Sequence, residues 1–197
     1  MRFLTRGIIA VASILALLTA CTQQQEATKP AAATAPVQSP AERGKYLVFV
    51  GGCNDCHTPK KIVNGVPDAD MDRLLSGNPA ADKLPKVPKT LIGPEGYGTV
   101  ASNNLTAWVG PWGVSFAMNL TPDKDTGLGS WTEEMFVKAI KTGKHMGSGR
   151  DILPPMPWNW YRNMTDEDLK AVFAYLQTLP PIKNAIPDPL PPDKVPR

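Results

Sequence analysis

Cys53-Asn54-Asp55-Cys56-His57 is the stretch on which the reading of this chain turns. Two thiols separated by two residues can add to the two vinyl groups of one haem, and a histidine directly after the second can set its imidazole on the iron. That is the spacing of covalent haem c attachment. Three other uses of these residues fit less well. A zinc site wants a second ligand pair, yet there is no other Cys-x-x-Cys, and the one other histidine, His145, stands alone. A thioredoxin-like redox pair wants a βαβ setting, whereas the flanks read as helix and loop. A structural disulfide leaves His57 without a task. The motif occurs once in the sequence, which implies one covalent haem c.

Working outward, Ser39-Pro40-Ala41-Glu42 combines an N-cap hydroxyl, a proline at the first helical position and a capping-box glutamate. It predicts a helix running to about Val50. Gly51-Gly52 then breaks that helix and frees the backbone to turn into the motif. Residues 58–118 are rich in Pro, Gly and Asn with little sustained periodicity, so they read as mostly loop with one short helix or hairpin. A loop of that length needs something large to anchor it, and a haem edge would serve. Ser130-Trp131-Thr132-Glu133 reads as a second capping box, followed by Phe136, Ala139 and Ile140 at helical spacing, with Gly143 as the stop. A third helix opens at Thr165-Asp166-Glu167-Asp168. Its Leu169, Val172, Phe173 and Leu176 form one apolar stripe that ends near Leu179. The tail, 180–197, is too proline-rich for helix and reads as extended and solvated.

The N-terminus is built as an export signal over residues 1–20. Arg2 and Arg6 precede a short apolar run, and Thr19-Ala20 are small residues before Cys21. Leu18-Thr19-Ala20-Cys21 resembles a bacterial lipobox, in which the chain is cut before the cysteine and that cysteine is acylated; the alternative is an ordinary cleaved signal. With Cys21 lipidated and Cys53 and Cys56 on haem, all three cysteines are accounted for and no disulfide is expected. Residues 21–38, rich in Ala, Gln, Thr and Pro, read as a flexible tether between a membrane and a domain spanning 39–179. The formal charge of +3 falls to +1 once Arg2 and Arg6 are removed, and no basic run points to nucleic acid.

A second iron ligand needs a lone pair, which leaves His145, Met118, Met135, Met146, Met156 and Met164. Met156 is favoured because Leu153-Pro154-Pro155-Met156-Pro157-Trp158 restricts the backbone on both sides of the thioether. His145, in a glycine-rich loop, is the rival and Met146 comes third; Met135, inside a capped helix, reads as core. Arg150 and Trp158 flank the methionine loop as candidates for contact with a haem propionate, with a surface charge and a core aromatic as the plainer readings.

This order of parts resembles the class I cytochrome c family over residues 39–179. Asn119-Leu120-Thr121-Pro122-Asp123, Thr126-Gly127-Leu128-Gly129 and Pro155-Met156-Pro157-Trp158 are similar to stretches of the exported cytochromes that accompany periplasmic dehydrogenases. The resemblance implies an all-α fold around one haem, with a long loop inserted after the motif. The first helix, through Gly44 and Tyr46, would cross the last near Tyr175 and Leu176. It further implies an electron carrier of the bacterial periplasm rather than an enzyme, since His57 and Met156 on the two sides of the iron leave no open position. The expected partners are a dehydrogenase donor, a cytochrome or oxidase acceptor, and a membrane reached through the lipid. Two alternatives stay open: a relay subunit within a dehydrogenase complex, and a gas-binding or peroxide-reacting protein should Met156 leave the iron free.

Overall fold

Helix α1 (Pro40–Val50) begins where the capping box places it. The Ser39 hydroxyl accepts the Glu42 amide at 3.3 Å, and the Glu42 carboxylate accepts the Ser39 amide at 2.8 Å. In the computed structural model, which describes residues 38–197, α1 stops at Gly51, whose amide returns to Leu47 O at 2.8 Å. Gly52, at φ 71°, then turns the chain directly into α2 (Cys53–His57), a conformation that a side chain would oppose. The expected export signal, Cys21 and the tether as far as residue 37 lie outside the described residues.

Two later helices complete the main core. Helix α3 (Glu133–Thr142) is capped by Thr132, whose hydroxyl accepts the Met135 amide at 3.2 Å. The cap is therefore Thr132 rather than the expected Ser130, and both Glu133 and Glu134 fall in the first turn, where the helix dipole favours them. Helix α5 (Asp166–Leu176) follows the short α4 (Trp158–Tyr161) and is capped by Thr165 through the Asp168 amide at 3.1 Å. Helices α1 and α5 cross at Gly44, which is buried. A Cβ there would lie 2.5 Å from the Ala171 carbonyl carbon and 2.9 Å from Tyr175 Cβ. Around the crossing, Val48, Leu128, Phe136, Leu169, Val172 and Leu176 share one apolar core.

The expected all-α class I fold does not hold. Among the described residues there are five α-helices and five strands, the strands forming two small antiparallel sheets. Strands β1 (Lys60–Val63) and β2 (Val66–Ala69) make a hairpin over Asn64-Gly65, both at positive φ, 53° and 81°. Strands β3 (Val100–Ala101), β4 (Ala107–Gly110) and β5 (Gly113–Phe116) form the second sheet in that order, with Val109 opposite Val114. Each strand is two to four residues long, too short for alternation to rise above the surrounding Pro and Gly. Asn64-Gly65 is nonetheless a strong local hairpin signal, since the favoured two-residue turn needs positive φ at both positions.

The tail is extended, as its prolines dictate, but it is docked rather than solvated. Leu190 pairs with Val114 through two backbone hydrogen bonds of 2.8 and 3.0 Å, and Val195 packs with Val87, Val109 and Val114 in a second core. Asn184, 5% exposed, donates to Ser76 O at 2.7 Å and Asn78 O at 2.8 Å and accepts the Ala80 amide at 2.9 Å. A chain with few amide donors is held by single well-placed anchors. Asn184→Ala would leave the buried carbonyls of Ser76 and Asn78, and the Ala80 amide, without this partner and is expected to cost about 2 kcal/mol, measured by urea unfolding. An unchanged midpoint would show that the strap contributes nothing to stability.

Candidate haem site

Helix α2 is only five residues long, yet it carries both thiols and the imidazole of the motif. Cys53, Cys56 and His57 all line one cavity of about 400 Å³ whose walls are almost wholly apolar. Helices α1, α3 and α5 close one side through residues such as Val48, Phe136 and Val172. The β4–β5 sheet closes another through Trp108, Ser115 and Phe116. The Met156 loop contributes a further wall, and Met156 also packs against the main core.

His57 is partly buried, and its desolvation pushes its pKa below the ordinary histidine range, which favours the neutral imidazole. Its Nδ1–H donates to the main-chain carbonyl of Met118 at 2.8 Å. A neutral imidazole with Nδ1 protonated carries its lone pair on Nε2, and the neighbouring carbonyl fixes the ring. The carbonyl is itself held, because the flanking residues pair across the insertion: the Asn78 amide with Ala117 O at 3.0 Å and the Leu120 amide with Leu75 O at 2.9 Å. The Gly77 amide also binds His57 O at 2.8 Å. Met118 was a candidate for its thioether, whereas the contact it makes with His57 is through its carbonyl. Nothing in a side-chain pattern reveals such a role, since every residue has a carbonyl.

Burial raises the Cys53 thiol to about 11 and pushes the Cys56 thiol up as well, so both are uncharged thiols in the free protein. Two neutral thiols, a neutral imidazole with an available lone pair and a thioether around an apolar cavity fit a covalently held haem. They do not suit a hydrated metal ion, which would want charged ligands.

The remaining candidates separate. His145 and Arg150 line the cavity, as do Met118 and Met164, whereas Met135, Met146 and Trp158 do not. His145 is half-buried with its ring edge-on to Trp131, centroids 5.2 Å apart, and its pKa is lowered by burial and then by Arg150. Trp158, a candidate for a propionate contact with a core aromatic as the plainer reading, lies against Gly143 with the Arg162 guanidinium 5.8 Å above its ring. Two cross-links that the sequence does not announce brace the site. The Tyr161 hydroxyl donates to Gly51 O at the end of α1, and the Ser115 hydroxyl donates to Pro154 O, tying β5 to the methionine loop.

No family model matches the chain. It is 31% identical over 174 residues to the fructose dehydrogenase cytochrome subunit of Gluconobacter japonicus, covering 88% of this chain and 28% of that protein. It is 30% identical over 134 residues to the gluconate 2-dehydrogenase cytochrome c subunit of Pantoea cypripedii, covering 68% and 22%. The cytochrome c subunit of the quinone alcohol dehydrogenase of Gluconobacter oxydans matches at 32% over 134 residues, covering 68% and 20%. The chain thus spans less than a third of the length of each of these relatives. Motif, cavity chemistry and relatives agree: the chain is a c-type cytochrome that resembles those accompanying dehydrogenases.

Proposed function

We propose that this chain holds one haem c through Cys53 and Cys56, ligates its iron with His57 and Met156, and passes single electrons from a dehydrogenase to an acceptor. The observation that carries this reading is the His57–Met118 hydrogen bond. It leaves an Nε2 lone pair on a residue that lines the same apolar cavity as both thiols and the Met156 thioether. When bound, haem supplies a one-electron couple that the protein tunes through axial ligand, hydrogen bonding and burial. Met156 would hold the iron through its thioether, which would raise the potential and leave no open position for a substrate. The apolar walls exclude water and disfavour the more highly charged oxidised state. Arg150, at the cavity rim, offers a guanidinium to a carboxylate.

Export and lipid anchoring at Cys21 belong to the same reading and rest on Leu18-Thr19-Ala20-Cys21. The anchor would hold the domain near membrane-bound donors and acceptors in the periplasm. Similarity to cytochrome subunits of fructose and gluconate dehydrogenases favours a role as the haem relay of a dehydrogenase complex, and co-purification with a catalytic subunit would support that form of the proposal.

The test is a visible and near-infrared spectrum of membrane-extracted full-length protein, with its intact mass. One covalent haem, a low-spin spectrum and the mass of an acylated chain beginning at Cys21 are expected. Carbon monoxide binding by the ferrous protein without denaturant would overturn Met156 ligation in favour of an open, gas-binding site. Cys21→Ser is expected to release the protein from membranes with its visible spectrum unchanged. Retention of that variant in the membrane fraction would sink the anchor.

A further inference from the structure

None of the residues of β1 or β2 lines the cavity, so the hairpin takes no direct part in enclosing a cofactor. Its first residue does something else. Lys60 folds its side chain back over α2, and its ammonium donates to Asn54 O at 3.1 Å, Asp55 O at 3.0 Å and Thr58 O at 2.6 Å. Three donors meet three carbonyls, which is all that an ammonium can give. Among the described residues it has no carboxylate partner within ion-pair distance, so its charge is spent on the backbone of the attachment segment.

The need for such a clamp follows from length. A helix of five residues can make almost none of its own hydrogen bonds, and its last carbonyls are orphans. Some of these are met by main chain: Asn54 O also receives the Thr58 amide at 3.1 Å, and His57 O receives the Gly77 amide. Lys60 meets the carbonyls of Asp55 and Thr58, on either side of Cys56 and His57. The lysine is in turn fixed from behind, where β1 pairs Lys60 with Ala69 and its amide binds Asn104 O at 3.2 Å. Part of its surface is buried and its pKa is lowered by that burial, while Asp55 and Cys56 favour the charged form.

We propose that Lys60 is a positioning residue for the haem: its ammonium clamps the carbonyls of the attachment helix and places a fixed positive charge beside it that favours the reduced iron. This rests on the haem reading above. A cation near the site opposes the extra positive charge of the ferric state, so its removal lowers the midpoint potential.

The experiment is a redox titration of the haem-loaded full chain carrying Lys60→Met, which keeps the aliphatic stem, and Lys60→Arg, which keeps the charge. Lys60→Met is expected to weaken reduction by about threefold to tenfold, which is ~30 to 59 mV at 59 mV per tenfold for one electron. Hydrogen exchange at the Thr58 amide should speed up in the same variant, and Lys60→Arg should keep most of the wild-type potential. A haem-loaded Lys60→Met protein with wild-type potential overturns the proposal, as do equal shifts in the two variants. Should Lys60→Met accumulate without haem while Lys60→Arg loads normally, the clamp is supported at the attachment step itself; loss of haem from both variants overturns it. A wild-type chain that matures without haem overturns this proposal and the haem reading together, whereas the other failures touch Lys60 alone.

Discussion

Gly44→Ala is expected to destabilise the domain by about 3 kcal/mol or more, a large loss for one added carbon. The new Cβ would fall within the Ala171 carbonyl group, 2.5 Å from its carbon, with Tyr175 Cβ on the other side at 2.9 Å. Neither neighbour is the flexible end of a side chain. The Ala171 carbonyl belongs to the middle of α5, so it cannot swing aside without breaking that helix, and α1 and α5 must separate instead. Separation would open the packing of Val48 against Leu169, Val172 and Leu176, residues that also wall the cavity. Thermal unfolding is the measurement. At roughly 2 to 4 °C per kcal/mol for a domain of this size, a midpoint lowered by about 6 °C or more is expected. An unchanged midpoint would mean that the two helices do not cross at Gly44.

Met156→Ala is expected to leave haem covalently attached, because the thiols of Cys53 and Cys56 are untouched, but to abolish the weak near-infrared sulfur-to-iron band of ferric His/Met haem. The potential should fall by on the order of 100 mV, since axial ligand identity is the strongest control a protein has over a haem couple. The variant should also acquire carbon monoxide binding in the ferrous state. Survival of the band would make another cavity methionine the ligand. Met118 and Met164 are the other methionines that line the same space, Met146 is not among them, and His145 as the ligand would show no such band even in the unmutated protein.

What could be read from the chain divides along physical lines. Helices α1 and α5, and the apolar stripe of α3, were legible because hydroxyl caps and 3.6-residue apolar periodicity are local, whereas the crossing of α1 and α5 at Gly44 was implied only by the family resemblance. The stretch from Cys53 to His57 was legible because its chemistry depends on spacing alone. The insertion was not, apart from Asn64-Gly65. Its strands are short, and their partners are chosen by contacts far along the chain, as in Val114 with Leu190. The docking of the tail failed for the same reason: no composition rule tells Asn184 that the carbonyls of Ser76 and Asn78 lie within reach. Within the site, side-chain ligands were nameable in advance, whereas the Met118 carbonyl and the clamp by Lys60 act on or through the backbone. They became visible only once the chain was folded.

The docked tail also sets an order of events during synthesis. Val195 is buried in the second core, and the Val87 amide binds Pro196 O at 2.9 Å, so that core is completed by residues translated long after both thiols. A nascent chain emerging from its N-terminus cannot close the core around Val109 and Val114 until Val195 has followed. Strands β3, β4 and β5 can pair with one another as soon as they are made, but the second core stays incomplete until the tail has followed.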